Sequence, residues 1–374
     1  MKLFLPLLLL YSIQATAITL VPTPPSITAD AYILQDFDSG KILMEKNVDK
    51  RIEPASLTKL MTAYLVFQKL KSGKVKLDDI ATISEKAWRM TGSRMYLEVN
   101  TQVSIELLLK GMIVQSGNDA SIALAEFIGG TEEAFASLMN RQAKRLGLID
   151  THYVNSTGMP NDKHYTTVND LVTLSKLLIR DFPEYYRWYS EKELTYNNII
   201  QHNRNKLLQR DPTVDGIKTG YTEKAGYCLI SSAKRGKMRL LSVIMGAKSN
   251  KVRIRESEIM LDYGFRFFET FRIYKAYQPL DFAKVWKGDK KRFQLGLANV
   301  LYVTIPKGQY NKLKATVFSA PYIMAPVTKG KKYGTLKINM GNQVVLERPL
   351  IALASVEEGA LWEKLIDSFL LLLY

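Results

Sequence analysis

The 374-residue chain holds one cysteine, Cys228, and three histidines, His152, His164 and His202. A single thiol excludes an intramolecular disulfide, so stability must come from buried apolar surface. Cys228 falls in Tyr227-Cys228-Leu229-Ile230, which reads as a buried strand where the thiol packs as a small hydrophobe. The histidines lack metal-ligand spacing, so no zinc or other metal site is expected, and no cofactor is implied. No internal repeat, low-complexity tract, zinc-finger, recognition-helix or ribonucleoprotein-type signature occurs. What is present is ordinary for a globular protein: 47% apolar and 24% charged residues. The length allows at least one large core and suggests two domains.

Met1-Lys2 opens a short basic region, followed by the apolar run 3–11 and the small-residue site Ala15-Thr16-Ala17. That pattern predicts a signal peptide over 1–17 and an exported protein. The run is too short for a transmembrane anchor. A net charge of +16 admits nucleic acid, an anionic membrane or an anionic polymer as partner. Export argues against nucleic acid and leaves a polyanionic envelope.

Residues 18–30, with Pro22, Pro24 and Pro25, predict an extended leader outside the core. Alternation over 31–36 and 38–43 predicts strand, turn, strand. Apolar residues at Leu57, Leu60, Met61, Tyr64, Leu65 and Phe67 have helical spacing after Pro54, and Gly73 closes the segment. Further helices are expected over 104–114, 120–128, 132–146 and 170–179, then strands over 214–218, 227–234 and 238–246, and a closing helix over 256–268. Strands at both ends with helices between predict one sheet built from both ends of a domain and covered by helices. After about 272 the turn signals Lys287-Gly288-Asp289, Lys307-Gly308-Gln309 and Gly341-Asn342-Gln343 separate short strand-like runs, giving a small β-rich domain over 273–356. Over 357–374, Leu361, Trp362, Leu365, Ile366, Phe369, Leu370 and Leu373 recur at helical spacing. That amphipathic helix is too short to span a bilayer, and either lies in a membrane surface or docks on its own domain.

Three motifs follow one another: Ser56-Leu57-Thr58-Lys59, Ser116-Gly117-Asn118 and Lys218-Thr219-Gly220. Serine needs a base to become a nucleophile, and a lysine three residues on along a helix faces the same side. Lysine acts as a base only if burial or a nearby cation lowers its pKa; Lys218 is a candidate for that cation. A second S-x-x-K, Ser231 to Lys234, lies in an expected strand, where residues three apart face opposite ways. Ser116 on a loop can relay a proton and Asn118 can bind both Lys59 and a substrate amide; capping of the next helix is the bland alternative. Lys218 and Thr219 alternate along a strand, and Gly220 clears space for a ligand backbone at a peptide-binding edge. A strand ending in a turn with a solvated lysine is the alternative there.

Jointly the motifs resemble the penicillin-recognising serine acyltransferases. The SGN variant, Pro54 to Thr62, Asn203-Arg204-Asn205, Val214 to Gly220 and Tyr263 to Glu269 narrow the resemblance. They resemble the low-molecular-mass penicillin-binding proteins, D-alanyl-D-alanine carboxypeptidases of the class C, type 5 kind in serine peptidase family S11. The resemblance implies an α/β fold: a β-lactamase/transpeptidase-like domain over 18–272, an antiparallel sheet covered by helices with a helical subdomain. A small all-β C-terminal domain and a terminal amphipathic helix follow. It implies Ser56 as nucleophile on the bond between two D-alanines, Lys59 as base and Ser116 as proton relay. Asn118, Lys218, Thr219, Gly220 and Tyr221 would bind substrate, with backbone N–H groups of Ser56 and Tyr221 as oxyanion hole. Arg253 and Arg204 match the family's arginines for a free C-terminal carboxylate, with surface solvation as the alternative. Implied partners are a peptidoglycan pentapeptide, β-lactams as covalent inhibitors and a membrane surface, at the periplasmic face of the inner membrane.

Three rival readings fit less well. A class A β-lactamase needs a loop glutamate for deacylation, and none occurs between Asp150 and Asp181. A D,D-endopeptidase of the same superfamily would usually lack the second domain and tail. A non-catalytic envelope or shape-maintaining protein would not need Ser56, Lys59, Asn118 and Lys218 intact. One departure stands out: in the tail Lys364 is outnumbered by Glu357, Glu358, Glu363 and Asp367, so anchoring would rest on Trp362, Phe369 and the leucines.

Overall fold

A computed structural model describes residues 21–372. The expected signal peptide lies outside the described residues. The first domain is built on a five-stranded antiparallel sheet in the order Ile42–Lys46, Ala31–Asp36, Met238–Ala247, Gly226–Arg235, Val214–Thr222. The chain's early and late strands meet where Ala31–Asp36 pairs with Met238–Ala247. Val214–Thr222 is left at an edge.

Alternation along the central strands splits the apolar residues between two cores. Ile33, Ile230 and Val243 pack with the helical layer, including Lys59–Lys71, Asn118–Gly129, Glu132–Leu146 and Val168–Asp181. Leu34, Leu229 and Ile244 pack on the opposite face with the helix Asn250–Phe267. Each buried side chain of this size contributes about 1.5–3 kcal/mol relative to exposure.

Three sequence expectations change. The leader is not outside the core: Ile27 and Ala29 are buried in the second core, and Glu256 accepts hydrogen bonds from the Thr28 N–H and hydroxyl. The closing helix starts at Asn250 rather than 256, because Ser249 caps it through the Val252 N–H and Lys251, Arg253 and Arg255 hide its periodicity. The second domain takes in the strand Phe268–Tyr274, which pairs with Leu301–Pro306, so the break falls at 267/268 rather than 272/273.

That domain adds a second five-stranded sheet and its own core. Buried polar groups join it to the first. The fully buried Asp36 carboxylate accepts from Ser39 N–H and hydroxyl at 2.7 Å each and from the Thr270 hydroxyl at 2.7 Å. Thr304 bonds both Ser39 and Thr270. The last helix, Leu361–Leu371, holds to the second domain through buried Asp367, which pairs with Lys291 at 3.1 Å. Its apolar residues stand outward, with Trp362 71% and Phe369 64% exposed. Among the described residues no helix is long and apolar enough to cross a membrane.

Replacing Asp36 by Ala leaves several donors without their acceptor inside the domain junction. The expected loss is about 2–3 kcal/mol, read by denaturant unfolding; an unchanged midpoint would remove the junction role.

Candidate active site

Ser56 and Lys59 lie where a tight 3₁₀ turn, Ala55–Thr58, runs into the helix Lys59–Lys71. Ala55 is held at φ 49°, a region disfavoured for an alanine and maintained by its surroundings. Gly158 belongs to those surroundings: a Cβ there would stand 1.7 Å from the Ala55 carbonyl oxygen, so only glycine lets the 155–159 loop close over the turn that carries Ser56. Gly220 serves the same turn from the other side. Its missing Cβ would lie 3.1 Å from Ala55 Cβ and 3.2 Å from the Pro54 carbonyl oxygen. The expected clearance for a ligand backbone is thus, in the structure, clearance for the turn that carries Ser56.

Lys59 is almost fully buried. Its Nζ lies 3.1 Å from Ser56 Oγ and donates to Asn118 Oδ1 and the Thr157 carbonyl, each at 2.7 Å. Burial lowers its pKa to about 7, against the opposing pull of Asp119 and Glu132. A neutral amine has two N–H bonds and one lone pair. Asn118 Oδ1 and Thr157 O can only accept, so both N–H bonds go to them. The lone pair is left facing Ser56, whose O–H then donates to it.

Fixed neighbours set that geometry. Thr157 is held in a loop where Asn155 Oδ1 accepts from the Gly158 N–H at 2.7 Å and Glu132 accepts from the Ser156 N–H and hydroxyl. Next to Lys59, Thr58 bonds His164 Nε2 at 2.8 Å. The Val154 N–H donates to the other ring nitrogen, so Nε2 carries the hydrogen. Burial pushes this imidazole down to about 4, making it a neutral structural group. No set of His, Cys, Asp and Glu side chains among the described residues could hold a metal ion.

The helix Ile105–Lys110 loosens into a π-helical turn, Gly111–Gln115, and ends at Ser116 in the left-handed conformation, φ 64°. The sequence predicted continuous helix over 104–114. The π turn widens the last turn and delivers the Ser116 hydroxyl to Lys218 Nζ at 2.7 Å. Asn118 turns its amide to the Thr91 carbonyl at 2.7 Å. Neither residue caps the following helix; Asp119 receives the N–H groups of Met95, Leu97 and Ala120 instead.

Lys218 is buried on the edge strand. Burial first, then Lys59, Arg253 and Arg204, hold its pKa well below the usual lysine range. The strand's Thr219, Gly220 and Tyr221 line a cleft of about 300 Å³ together with Ser56, Ser116 and Asn118. Arg204 and Arg253 close one side of it. Arg253 is not a solvated surface residue: its guanidinium is buried and donates to the carbonyls of Gly220 and Cys228 at 2.8 and 2.9 Å. Burial lowers its pKa to about 10. Arg204 is exposed, with one long hydrogen bond to the Gln115 carbonyl at 3.4 Å. Ser231 is buried on the strand Gly226–Arg235 and does not line the cleft. Thr157, Thr91, Glu132 and His164 were not found from sequence, since they act through backbone carbonyls or as supports and belong to no motif.

A serine facing a buried lysine of lowered pKa, beside a sheet edge flanked by basic side chains, defines a serine acyl-transfer enzyme. The model of the D-alanyl-D-alanine carboxypeptidase family matches residues 18–249, and that of the penicillin-binding protein 5 C-terminal domain matches 268–358. The chain belongs to the D-alanyl-D-alanine carboxypeptidase family and is a serine peptidase of family S11. It is 44% identical to the Escherichia coli D-alanyl-D-alanine carboxypeptidase DacC over 368 residues, covering 96% of this chain and 92% of the relative. Escherichia coli DacA is 43% identical over 358 residues, covering 93% and 89%. Penicillin-binding protein 5 from Haemophilus influenzae superposes with a TM-score of 0.88 at 41% identity, covering 90% of this chain and all, 100%, of that one. Penicillin-binding protein D2 from Listeria monocytogenes, solved in an ampicillin-bound form, matches at 32% identity and a TM-score of 0.59 over 64% of this chain and 98% of its own.

Because only neutral Lys59 offers a lone pair, kcat/KM for D-alanine release should rise as pH climbs through about 7 and then level off. Below that value the ammonium cannot accept the Ser56 proton. A profile that is flat, or that first rises near an ordinary lysine pKa, would refute Lys59 as base.

Proposed function

We propose that this carboxypeptidase removes the terminal D-alanine from peptidoglycan pentapeptides by way of an ester on Ser56. The observation that carries this reading is the Lys59 amine, whose two carbonyl acceptors leave its lone pair for the Ser56 hydroxyl at 3.1 Å. Ser56 Oγ attacks the carbonyl carbon of the penultimate D-alanine while Lys59 takes the proton. Backbone N–H groups of Ser56 and Tyr221 receive the oxyanion, an effect worth about 3–4 kcal/mol of barrier. The C–N bond then breaks. The proton passes by way of the Ser116 hydroxyl to the departing nitrogen, and Lys59 returns to its neutral form. Water, activated in the same way, cleaves the ester.

Asn118 holds the substrate amide while Thr219 and Arg253 receive the terminal carboxylate, with Arg204 contributing from the rim. Lys218 supplies positive potential. A β-lactam presents an equivalent carbonyl at the same place and acylates Ser56. Incubation with a labelled penicillin should add one inhibitor mass on Ser56, and Ser56→Ala should abolish the adduct; an adduct that survives in Ser56→Ala would place the nucleophile elsewhere.

The reading extends to location: an exported, periplasmic protein attached peripherally to the inner membrane by the helix Leu361–Leu371. Support comes from the outward apolar face, and from basic residues beside a helix whose own Lys364 is outnumbered by Glu363 and Asp367. Lys290 and Lys291 are exposed on the connection beside it and Arg292 opens the strand that follows, all joined to the helix through the Lys291–Asp367 pair. Removal of residues 360–374 should preserve D-alanine release and end co-sedimentation with anionic lipid vesicles. Undiminished co-sedimentation would defeat the anchoring role.

A further inference from the structure

Where the two domains meet, the surface opens into a cavity of about 710 Å³ that shares no lining residue with the catalytic cleft. The first domain supplies Arg235, Lys237 and Arg266 to its walls, and the second supplies Glu269, Phe271 and Lys307. Its floor is apolar, made by the buried side chains of Met238, Phe265 and Phe268. Ligand sites favour domain interfaces and combine apolar walls with a few placed polar groups. Size, place and lining all fit that description.

The charges around the cavity are not evenly matched. Arg235 is committed: its guanidinium pairs with Asp211 and Asp262 at 2.9 Å each and lies 4.6 Å from the centre of the Phe265 ring. Asp262 is neutralised by that pair. Lys237, Arg266 and Lys307 have no carboxylate partner among the described residues. Against these three cations stands Glu269, which already accepts from the Gly308 N–H at 2.7 Å. The fold also fixes where the cations sit. Lys237 occupies the tight turn between the paired strands Gly226–Arg235 and Met238–Ala247, and Arg266 lies in the last turn of the helix Asn250–Phe267. The Lys307 N–H donates to the Phe267 carbonyl at 2.9 Å, and its amine reaches the Phe265 carbonyl at 3.4 Å.

Unpaired cations above an apolar floor select an organic anion that carries apolar groups beside its charge. An inorganic anion would leave the phenylalanines uncovered, and a neutral apolar ligand would leave the cations unmatched. A peptidoglycan stem has the required chemistry, with free carboxylates next to alanine methyl groups. An anionic bilayer suits the cavity less well: the helix Leu361–Leu371 is fastened at Lys287 and Lys291, and neither residue lines the cavity. We propose that the junction cavity is a second, non-catalytic site for carboxylate-bearing stem peptides of the polymer. This site rests on the peptidoglycan reading given above and adds to it a hold on the polymer while the cleft trims a neighbouring stem. Because both domains line the cavity, a bound stem bridges them.

The test uses the full chain with Ser56 first acylated by a penicillin, which blocks the catalytic cleft, and measures co-sedimentation with purified peptidoglycan sacculi. The blocked protein should bind, and Lys237→Glu/Arg266→Glu/Lys307→Glu should weaken binding by about fivefold or more. A charge-matched variant at exposed residues outside the cavity, Arg141→Glu/Lys144→Glu/Lys329→Glu, should bind as the parent does. An equal loss in that variant would reduce the effect to net charge and overturn the site. In unblocked protein the cavity variant should raise KM for D-alanine release from sacculi. Its release from a soluble acylated tripeptide ending in D-Ala-D-Ala should stay unchanged, which also shows that the variant folds. The proposal is overturned if the blocked parent does not bind sacculi, or if the cavity variant binds them as the parent does. Loss of co-sedimentation with anionic lipid vesicles in the cavity variant, with sacculus binding intact, would assign the cavity to lipid and likewise overturn it. Absence of D-alanine release from the soluble tripeptide by the parent chain would instead strike the carboxypeptidase reading on which the site rests.

Discussion

A buried amine with two carbonyl acceptors and one hydroxyl neighbour has one arrangement that satisfies every group and activates the hydroxyl. Lys59 is in that position. The rest of the site consists of devices that hold its three neighbours still. Ala55 is kept at positive φ so that Ser56 stands at the mouth of the cleft, and Gly158 and Gly220 approach that turn from opposite sides. Glu132 and Asn155 fix the loop that presents the Thr157 carbonyl. Burial lowers the lysine toward neutrality, because a charge removed from water without a counter-charge beside it is disfavoured.

Around this amine the protein gathers two further basic side chains. Lys218 and Arg253 are both buried, and each is satisfied by hydroxyl or carbonyl oxygens rather than carboxylates. Arg253, still charged with its pKa lowered only to about 10 and paired with neutral oxygens, leaves a positive field in the cleft, suited to a substrate that ends in a carboxylate. Arg253 also braces the architecture, since its bonds to the Gly220 and Cys228 carbonyls tie the first turn of a helix to the strand that lines the cleft. Electrostatics and architecture meet in one side chain.

Two buried aspartates act in a comparable way outside the cleft. Asp36 gathers hydroxyl and N–H donors from both domains at their junction, and Asp367 fastens the last helix with its apolar side outward. In each case a carboxylate inside protein is stable only while its donors stay in place. Polar contacts therefore help set the orientation of the second domain and the presentation of the helix, while Phe268 carries the first domain's apolar core into the junction.

Much of this was legible in the chain. Apolar periodicity fixed the sheet-and-helix class and the β-rich second domain, because burial of one face is a local, repeating demand. Ser56, Lys59, Ser116, Asn118 and Lys218 could be picked out because their chemistry requires particular side chains at particular spacings. The π-helical turn before Ser116, the start of the helix at Asn250 and the burial of Ile27 were not legible, since each depends on neighbours distant in sequence. The same is true of Thr157, which contributes only a carbonyl that every residue possesses. The sequence by itself determined which groups were available for acyl transfer and what class of fold would carry them. Tertiary structure alone decided that Lys59 is buried with its pKa lowered, that Gly220 makes room for the turn that carries Ser56, and that Arg253 lies buried at one side of the cleft. Solvation, close approach and cavity shape are properties of the packed chain, and no residue carries them alone.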